Sequence, residues 1–356
     1  MRLWGCVLEI VPADRVDKSW DRFVEQHPQA TMGHLRAWGG VIREAYGHEA
    51  LPLAALLEGE LVGLLPLVLV RSRVFGDRLV SMPFLDYGGV LVDVDAARDT
   101  GVDVTRTLIE AAAEAGRARG ARSLGLRQFH AIASSDPVSD DRVTMLLPLS
   151  SADAVWKALP SERRNRVRKG EKSGLSVAWG GAELLAGFYE VFAANMRDLG
   201  SPVHSRAFFA RMLAQLPDTA RVLQVRDRNG RPVGAAVCLF FRDTIAVPWV
   251  SSRRDAFALC PNFVLYWEVI RFGCVEGYRT LDLGRSFRNA GTFEFKRQWG
   301  AAPHALPWIF RDLVAGGPPP VDRDSSRYRQ LVTLWKRLPI PVANLLGPWV
   351  RRQVPN

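Results

Sequence analysis

A chain of 356 residues exceeds the size at which one hydrophobic core usually stops growing, so two domains are expected. Its 48% apolar and 24% charged residues give the composition of an ordinary globular protein, and its net charge of +10 points to an anionic partner. That partner is a phosphate-bearing cofactor, a nucleic acid or an acidic membrane surface; charge alone does not choose among them. Cys6, Cys238, Cys260 and Cys274 share no short paired spacing, which suits a reducing cytoplasm and argues against a zinc site. The N-terminal apolar run is interrupted by Glu9 and Asp14 before an export-signal core could form. The longest apolar run, Leu61 to Val70, contains Pro66 and is about half the length of a membrane-spanning helix.

Taken in chain order, helical and strand-like patterns alternate, which predicts a mixed α/β architecture. Helical periodicity at Ser19–Gln26 and Leu35–Tyr46 precedes a hairpin signal, Glu58-Gly59-Glu60, between Leu51–Leu57 and Leu61–Val70. A strand at Arg78–Met82, a helix from Val102 to Arg119 and a strand at Ser123–Leu126 follow. The order then repeats: Arg221–Arg226 and Val233–Phe241 flank the turn Asn229-Gly230, then come Thr244–Val250, a helix from Pro261 to Glu276 and a strand at Thr280–Leu283.

The local echo is Gly120-Ala-Arg-Ser-Leu-Gly-Leu-Arg127 against Gly277-Tyr-Arg-Thr-Leu-Asp-Leu-Gly284, a pattern for a helix C-cap feeding a buried strand. The two copies differ where Gly125 stands opposite Asp282, and a charge in a buried strand needs a reason. The expected division is residues 1–150, 151–314 and a linker with helical tail at 315–356, the linker marked by Gly316-Gly317-Pro318-Pro319-Pro320.

Neither a P-loop nor a Gly-x-Gly-x-x-Gly fingerprint occurs, and the six histidines make no metal-binding spacing. What remains is direct transfer assisted by charge and positioning. Three stretches carry it. The run Arg163 to Gly174 puts cations all round a helix, which faces water as a solvated connector or faces a polyanion. Leu281–Ser286 with Phe293–Gly300 places Asp282 near a strand end, where a carboxylate and a cation could respectively take a proton and stabilise a carbonyl oxyanion. A structural ion pair of Asp282 with Arg285 or Lys296 is the alternative there. Finally, Arg253 and Arg254 precede a helix opening at Pro261 and Asn262, an arrangement able to hold a phosphate. Trp249, Tyr266, Trp267 and Trp299 read as core rather than ligand platform, although Tyr266 could also contact a ligand or donate a proton. The runs Leu331–Leu338 and Pro341–Val350, with Lys336, Arg337, Arg351 and Arg352, either dock on the second domain or touch a membrane surface.

At Ser81-Met-Pro-Phe-Leu-Asp-Tyr-Gly-Gly89, the basic helix, Leu281–Ser286 and Phe295-Lys-Arg-Gln-Trp-Gly300, the chain resembles the FemAB-type branch of the GNAT acyltransferase superfamily, particularly its exosortase/PEP-CTERM and exopolysaccharide-associated members. The resemblance implies two tandem GNAT-like domains and transfer of an acyl or aminoacyl group onto an amine of a cell-envelope or exopolysaccharide precursor. It implies a stabilising role for Lys296 and matches Asp282 and Arg285 to a strand-end Asp-x-Gly-Arg pattern. Arg297, Ser286, Arg253, Arg254, Asn262 and Tyr266 complete the expected substrate or cofactor contacts, with no metal. The implied donor is acyl-CoA or an aminoacyl-tRNA; the partners are an anionic envelope precursor and no DNA. The glycine-rich pyrophosphate loop of ordinary acetyl-CoA GNATs is not recognisable at Arg253–Asn262, and the coiled-coil insertion of some tRNA-using members is absent. A cytoplasmic enzyme, peripheral to the inner membrane face, is the resulting expectation, against a non-catalytic polyanion-binding adaptor of an export pathway.

Overall fold

The computed structural model describes residues 7–98, 102–139, 141–288, 290–315 and 326–354; Cys6 and the expected Gly316–Pro320 linker lie outside them. The chain forms two compact units, one of Met1–Asp141, Ala305–Pro320 and Arg352–Asn356, the other of Arg142–His304 and Val321–Arg351.

In the first unit, Leu8–Pro12, Leu53–Leu57, Glu60–Leu65 and Leu91–Val92 form a four-stranded sheet in that order. The expected hairpin is present. Glu58 and Gly59 both adopt positive φ (51° and 86°), the tight-turn geometry whose twist matches its flanking strands. A six-stranded sheet follows the order Glu49–Ala50, Leu67–Val70, Arg78–Ser81, Ser123–Arg127, Trp308–Asp312, Val138–Ser139. The helix Val104–Ala118 starts on Asp103, whose carboxylate accepts the Arg106 N–H at 2.9 Å, and buries Leu108, Ile109, Ala112 and Ala113 in the core.

The second unit is built on a seven-stranded sheet ordered Ser176–Gly180, Ala220–Arg226, Pro232–Phe241, Thr244–Ser252, Thr280–Phe287, Arg142–Pro148, Ala302–Ala305. Its core joins Leu223, Cys238, Ile245, Leu265, Val269, Leu281 and Trp299. Trp249 is boxed by Phe208 and Phe209 at 5.5 and 5.3 Å, both edge-on, so it is a core residue as expected. The tail folds as helices Ser326–Lys336 and Ile340–Gln353. No helix among the described residues is long and apolar enough to cross a membrane.

The repeat is visible in the ladders. Gly120 and Gly277 both take left-handed φ (75° and 81°) at the ends of their helices. The strand after each runs parallel to its neighbour at the same offset: Val80 pairs with Gly125 as Ala246 pairs with Asp282. The division at 150, however, moves to Asp141/Arg142. Arg142–Pro148 lies antiparallel to Thr280–Phe287 in the second unit, while Trp308–Asp312, expected in the second domain, returns to pair with Ser123–Arg127. Each parallel strand thus gains its antiparallel neighbour from a distant stretch of the chain, and simple cuts at 150 and 314 miss both strands.

Candidate active site

The strands Thr244–Ser252 and Thr280–Phe287 pair at three positions, ending at Ala246 and Asp282, although both run on for several residues. Two local features separate them. Pro248 has no N–H to give a ladder, and it sits beside a register shift between Val237 and Leu239 on the neighbouring strand. Gly284 takes φ +79°, a bend that a side chain would strain.

Asp282 fixes that bend from inside. It is 1% exposed, and its Oδ1 accepts the Gly284 N–H at 2.7 Å and the Thr144 hydroxyl. Lys296, 8% exposed on the short helix Gly291–Arg297, donates from Nζ to the Gly284 and Arg285 carbonyl oxygens, both at 2.9 Å. One residue, Gly284, therefore ties the carboxylate through its N–H and the ammonium through its C=O. The result is a buried cation at the mouth of a strand fork, close to backbone groups that the ladder leaves unpaired. Asp282 faces inward and positions this bend rather than reaching an acceptor amine.

The basic helix Ser161–Lys172 corrects the expectation that it only faces water or a polyanion. Arg163, Val167 and Gly170, spaced i, i+4 and i+7, are buried against the helix Pro261–Val275. A Cβ at Gly170 would collide with Val264 and approach the Leu259 and Cys260 carbonyls at 3.3 and 3.4 Å, so only glycine permits this approach. Arg163 is 9% exposed, and its guanidinium lies 5.1 Å from the Phe263 ring centroid and 5.0 Å from that of Phe295. Burial lowers its pKa. Among the described residues no carboxylate or carbonyl accepts from it. Arg166, Arg168, Lys169 and Lys172 on the same helix remain exposed.

The other expected contacts divide. Ser286 is 3% exposed and lies 3.5 Å from the Thr292 hydroxyl, next to the fork; Arg285 is half-buried in the same strand opposite Thr144. Arg297 points to solvent and is held by Glu294 at 2.7 Å. Arg253 is engaged by Glu190 at 3.0 Å and Asp255 at 3.2 Å, and Arg231 also binds Asp255 at 2.6 Å. These contacts hold the Asp255 carboxyl down at about 2. Arg253 is thus already neutralised as a phosphate ligand, whereas Arg254 is exposed and Asn262 half-buried at the helix start. Tyr266 is core: it packs against Phe295 and Trp299 at 5.4 and 5.7 Å, and burial pushes its hydroxyl pKa up, which disfavours acid–base work. Thr144 and Arg163 are the site residues that the individual motifs did not single out. A threonine inside Val143–Leu147 was the available signal for the first.

The corresponding fork of the first unit is filled. The Ser81 hydroxyl accepts the Arg127 N–H at 2.7 Å, and Arg127 donates from its guanidinium to Met82 O and Leu85 O at 3.3 and 2.6 Å. The Gly88 N–H then closes on the Arg127 carbonyl at 3.0 Å. Arg127 occupies the register position that Gly284 holds in the second unit.

Two α/β units, each centred on a parallel strand pair with the same offset and divergence, define a tandem GNAT fold. The acetyltransferase (GNAT) domain family matches residues 161–297, a stretch that lies within the second unit. Among solved structures the chain is similar to FemX, at 15% identity with a TM-score of 0.65, covering 90% of this chain and 98% of that one. It is also similar to a tandem GNAT protein from the clavulanic acid biosynthesis pathway (14% identity, 87% and 100% covered, TM-score 0.54). A third similar structure is L-PGS from Bacillus licheniformis (11% identity, 95% and 97% covered, TM-score 0.54). No curated protein matches the chain.

Proposed function

We propose that the chain moves an acyl group from acyl-CoA onto an amine of an anionic cell-envelope or exopolysaccharide precursor, by direct attack and without a covalent enzyme intermediate. The observation that carries this reading is the buried Lys296 ammonium, held on the Gly284 and Arg285 carbonyls where the two parallel strands of the second unit diverge. In the step itself the amine nitrogen bonds to the thioester carbonyl carbon, negative charge collects on the carbonyl oxygen, the carbon–sulfur bond breaks, and the amine's proton leaves with the thiol. A fixed cation in a water-poor site favours that charge without reorganising.

Lys296 supplies the cation, Asp282 with Thr144 positions the bend, and Arg285 and Ser286 line the same strand end. Arg163, a buried guanidinium beside the start of the Pro261–Val275 helix, supports binding of the donor's phosphates. The match to an acetyltransferase domain favours acyl-CoA over aminoacyl-tRNA as donor. With such a donor the reaction belongs in the cytoplasm, at the inner membrane face, and the first unit, its fork closed by Arg127, serves as scaffold.

Titration calorimetry of the full chain with acetyl-CoA and, separately, an aminoacyl-tRNA tests this. Acetyl-CoA should bind, and Arg163→Met should weaken it about tenfold, or about 1.4 kcal/mol. Binding of aminoacyl-tRNA alone would reassign the donor. Binding of neither, with salt-sensitive binding to anionic polymer, would make the chain a polyanion-binding adaptor.

A further inference from the structure

The helix Ile340–Gln353 turns its small residues inward and its large ones outward. Ala343 is 2% exposed, and Gly347 lies so close to Val203 that an added Cβ would meet Val203 Cγ1 at 2.7 Å. Leu345 is 78% exposed, Trp349 57%, and Leu346 and Val342 are also exposed. An ordinary surface helix does the reverse and buries its apolar stripe. The preceding helix Ser326–Lys336 is similar: Val332 packs on Gly200, whereas Leu331 and Leu334 are exposed.

The helices are firmly held in this orientation. Arg197 Nη1 donates to Leu338 O at 3.1 Å, and Arg351 Nε donates to His204 Nε2 at 3.0 Å. Burial keeps His204 neutral and able to accept that bond. The outward face is therefore fixed by the docking of the inward one.

Charge says what covers it. Residues 326–354 contain six arginines or lysines and no aspartate or glutamate, and Arg329, Lys336 and Arg337 are exposed. Outward leucines, a tryptophan and cations without acids match the interface of a bilayer: apolar side chains below the headgroups, the indole at their level, cations against anionic lipid. We propose that these two helices are a docking surface for an anionic membrane. It would bring the second unit to a lipid-linked acceptor without spanning the bilayer.

Flotation of the full chain with vesicles tests this independently of catalysis. The chain should bind phosphatidylcholine vesicles carrying phosphatidylglycerol, bind phosphatidylcholine alone more weakly, and come off with salt. Leu345→Ser with Trp349→Ser should lower vesicle affinity at least about tenfold without moving the thermal midpoint, because both side chains are already in water. Lys336→Glu with Arg337→Glu should remove the preference for phosphatidylglycerol. Failure of the intact chain to float, or unchanged affinity in both double variants, would overturn the proposal. So would light scattering that finds a dimer which the Leu345/Trp349 variant converts to monomer, since the apolar face would then join two copies.

Discussion

Replacing Lys296 with methionine separates the role of its charge from that of its bulk. Methionine keeps most of the length of the stem, so packing at the fork is retained while the ammonium disappears. The Gly284 and Arg285 carbonyls each lose a 2.9 Å bond from a charged donor, a contribution of about 1.5–3 kcal/mol apiece. Removing a buried ammonium also removes its desolvation cost, several kcal/mol, so the net loss of stability is about 1–3 kcal/mol.

The effect on turnover is larger and of different origin. A preorganised donor aimed at a developing oxyanion contributes about 10²–10³ in kcat, or about 2.7–4 kcal/mol. The assay is thiol release from acetyl-CoA at saturating amine, with thermal unfolding of the same preparation. Lys296→Met should remain folded and lose that factor in kcat, with a smaller change in KM, because the interaction strengthens only as charge develops. Lys296→Arg keeps the charge but presents a planar fork where a compact point charge fits, so it should recover only a fraction of the rate. A folded Lys296→Met protein with kcat within about twofold of the parent would refute the electrostatic role of Lys296.

Thr144→Val deprives the buried Asp282 carboxylate of a hydroxyl at nearly constant volume, so it should cost about 1–3 kcal/mol and lower the calorimetric midpoint by several degrees. An unchanged midpoint would mean that Thr144 does not support Asp282. Stability should also fall with acid. Burial holds His34 down at about 4, against 6.5 when unfolded, so the unfolded chain takes up the proton first as pH drops. The His34 contribution is complete above pH 6.5 and is lost between pH 6.5 and about 4, the loss reaching about 2 kcal/mol at pH 5. His34→Gln should therefore show a smaller drop in thermal midpoint between pH 7 and 5 than the parent. An identical drop would exclude His34 as a source.

The elements were legible because their signals are local. Apolar periodicity marks Val104–Ala118, the Glu58-Gly59 turn joins two strands, and Pro261 opens a helix. The strand assignments across units were not legible, since Arg142–Pro148 and Trp308–Asp312 find their partners 132 or more and 181 or more positions away by register with Thr280 and Arg127. Of the candidate site, the Asp282–Gly284–Lys296 bend follows from a charge and a glycine in a buried strand. Arg253 could not be judged, because Glu190 neutralises it from 63 positions away. Arg163 was hidden in a run of arginines and lysines, and only Val167 and Gly170, four and seven positions on, mark its side of the helix as packed. Tyr266, read as core with ligand contact as the alternative, is a large ring in a core beside Trp299.

The duplicated forks differ in what occupies them, which is the physical basis for placing the proposed chemistry in the second unit. Both strand pairs diverge immediately beyond the same register position, so both would leave backbone groups unpaired. In the first unit the chain satisfies them itself: the Ser81 hydroxyl, the Gly88 N–H and the Arg127 guanidinium consume the local donors and acceptors. Arg127 also stacks 4.5 Å from the Trp308 ring, which adds side chain at this divergence. In the second unit the residue at the divergence is Gly284, at φ +79°, beside Val247, Pro248 and the Lys296 ammonium, and its bend is held by side chains from elsewhere. Asp282 and Lys296 hold it from the two sides of one residue. The glycine bend therefore comes with a buried carboxylate and a buried cation, and under the proposed function that cation is the group placed to stabilise an acyl-transfer transition state.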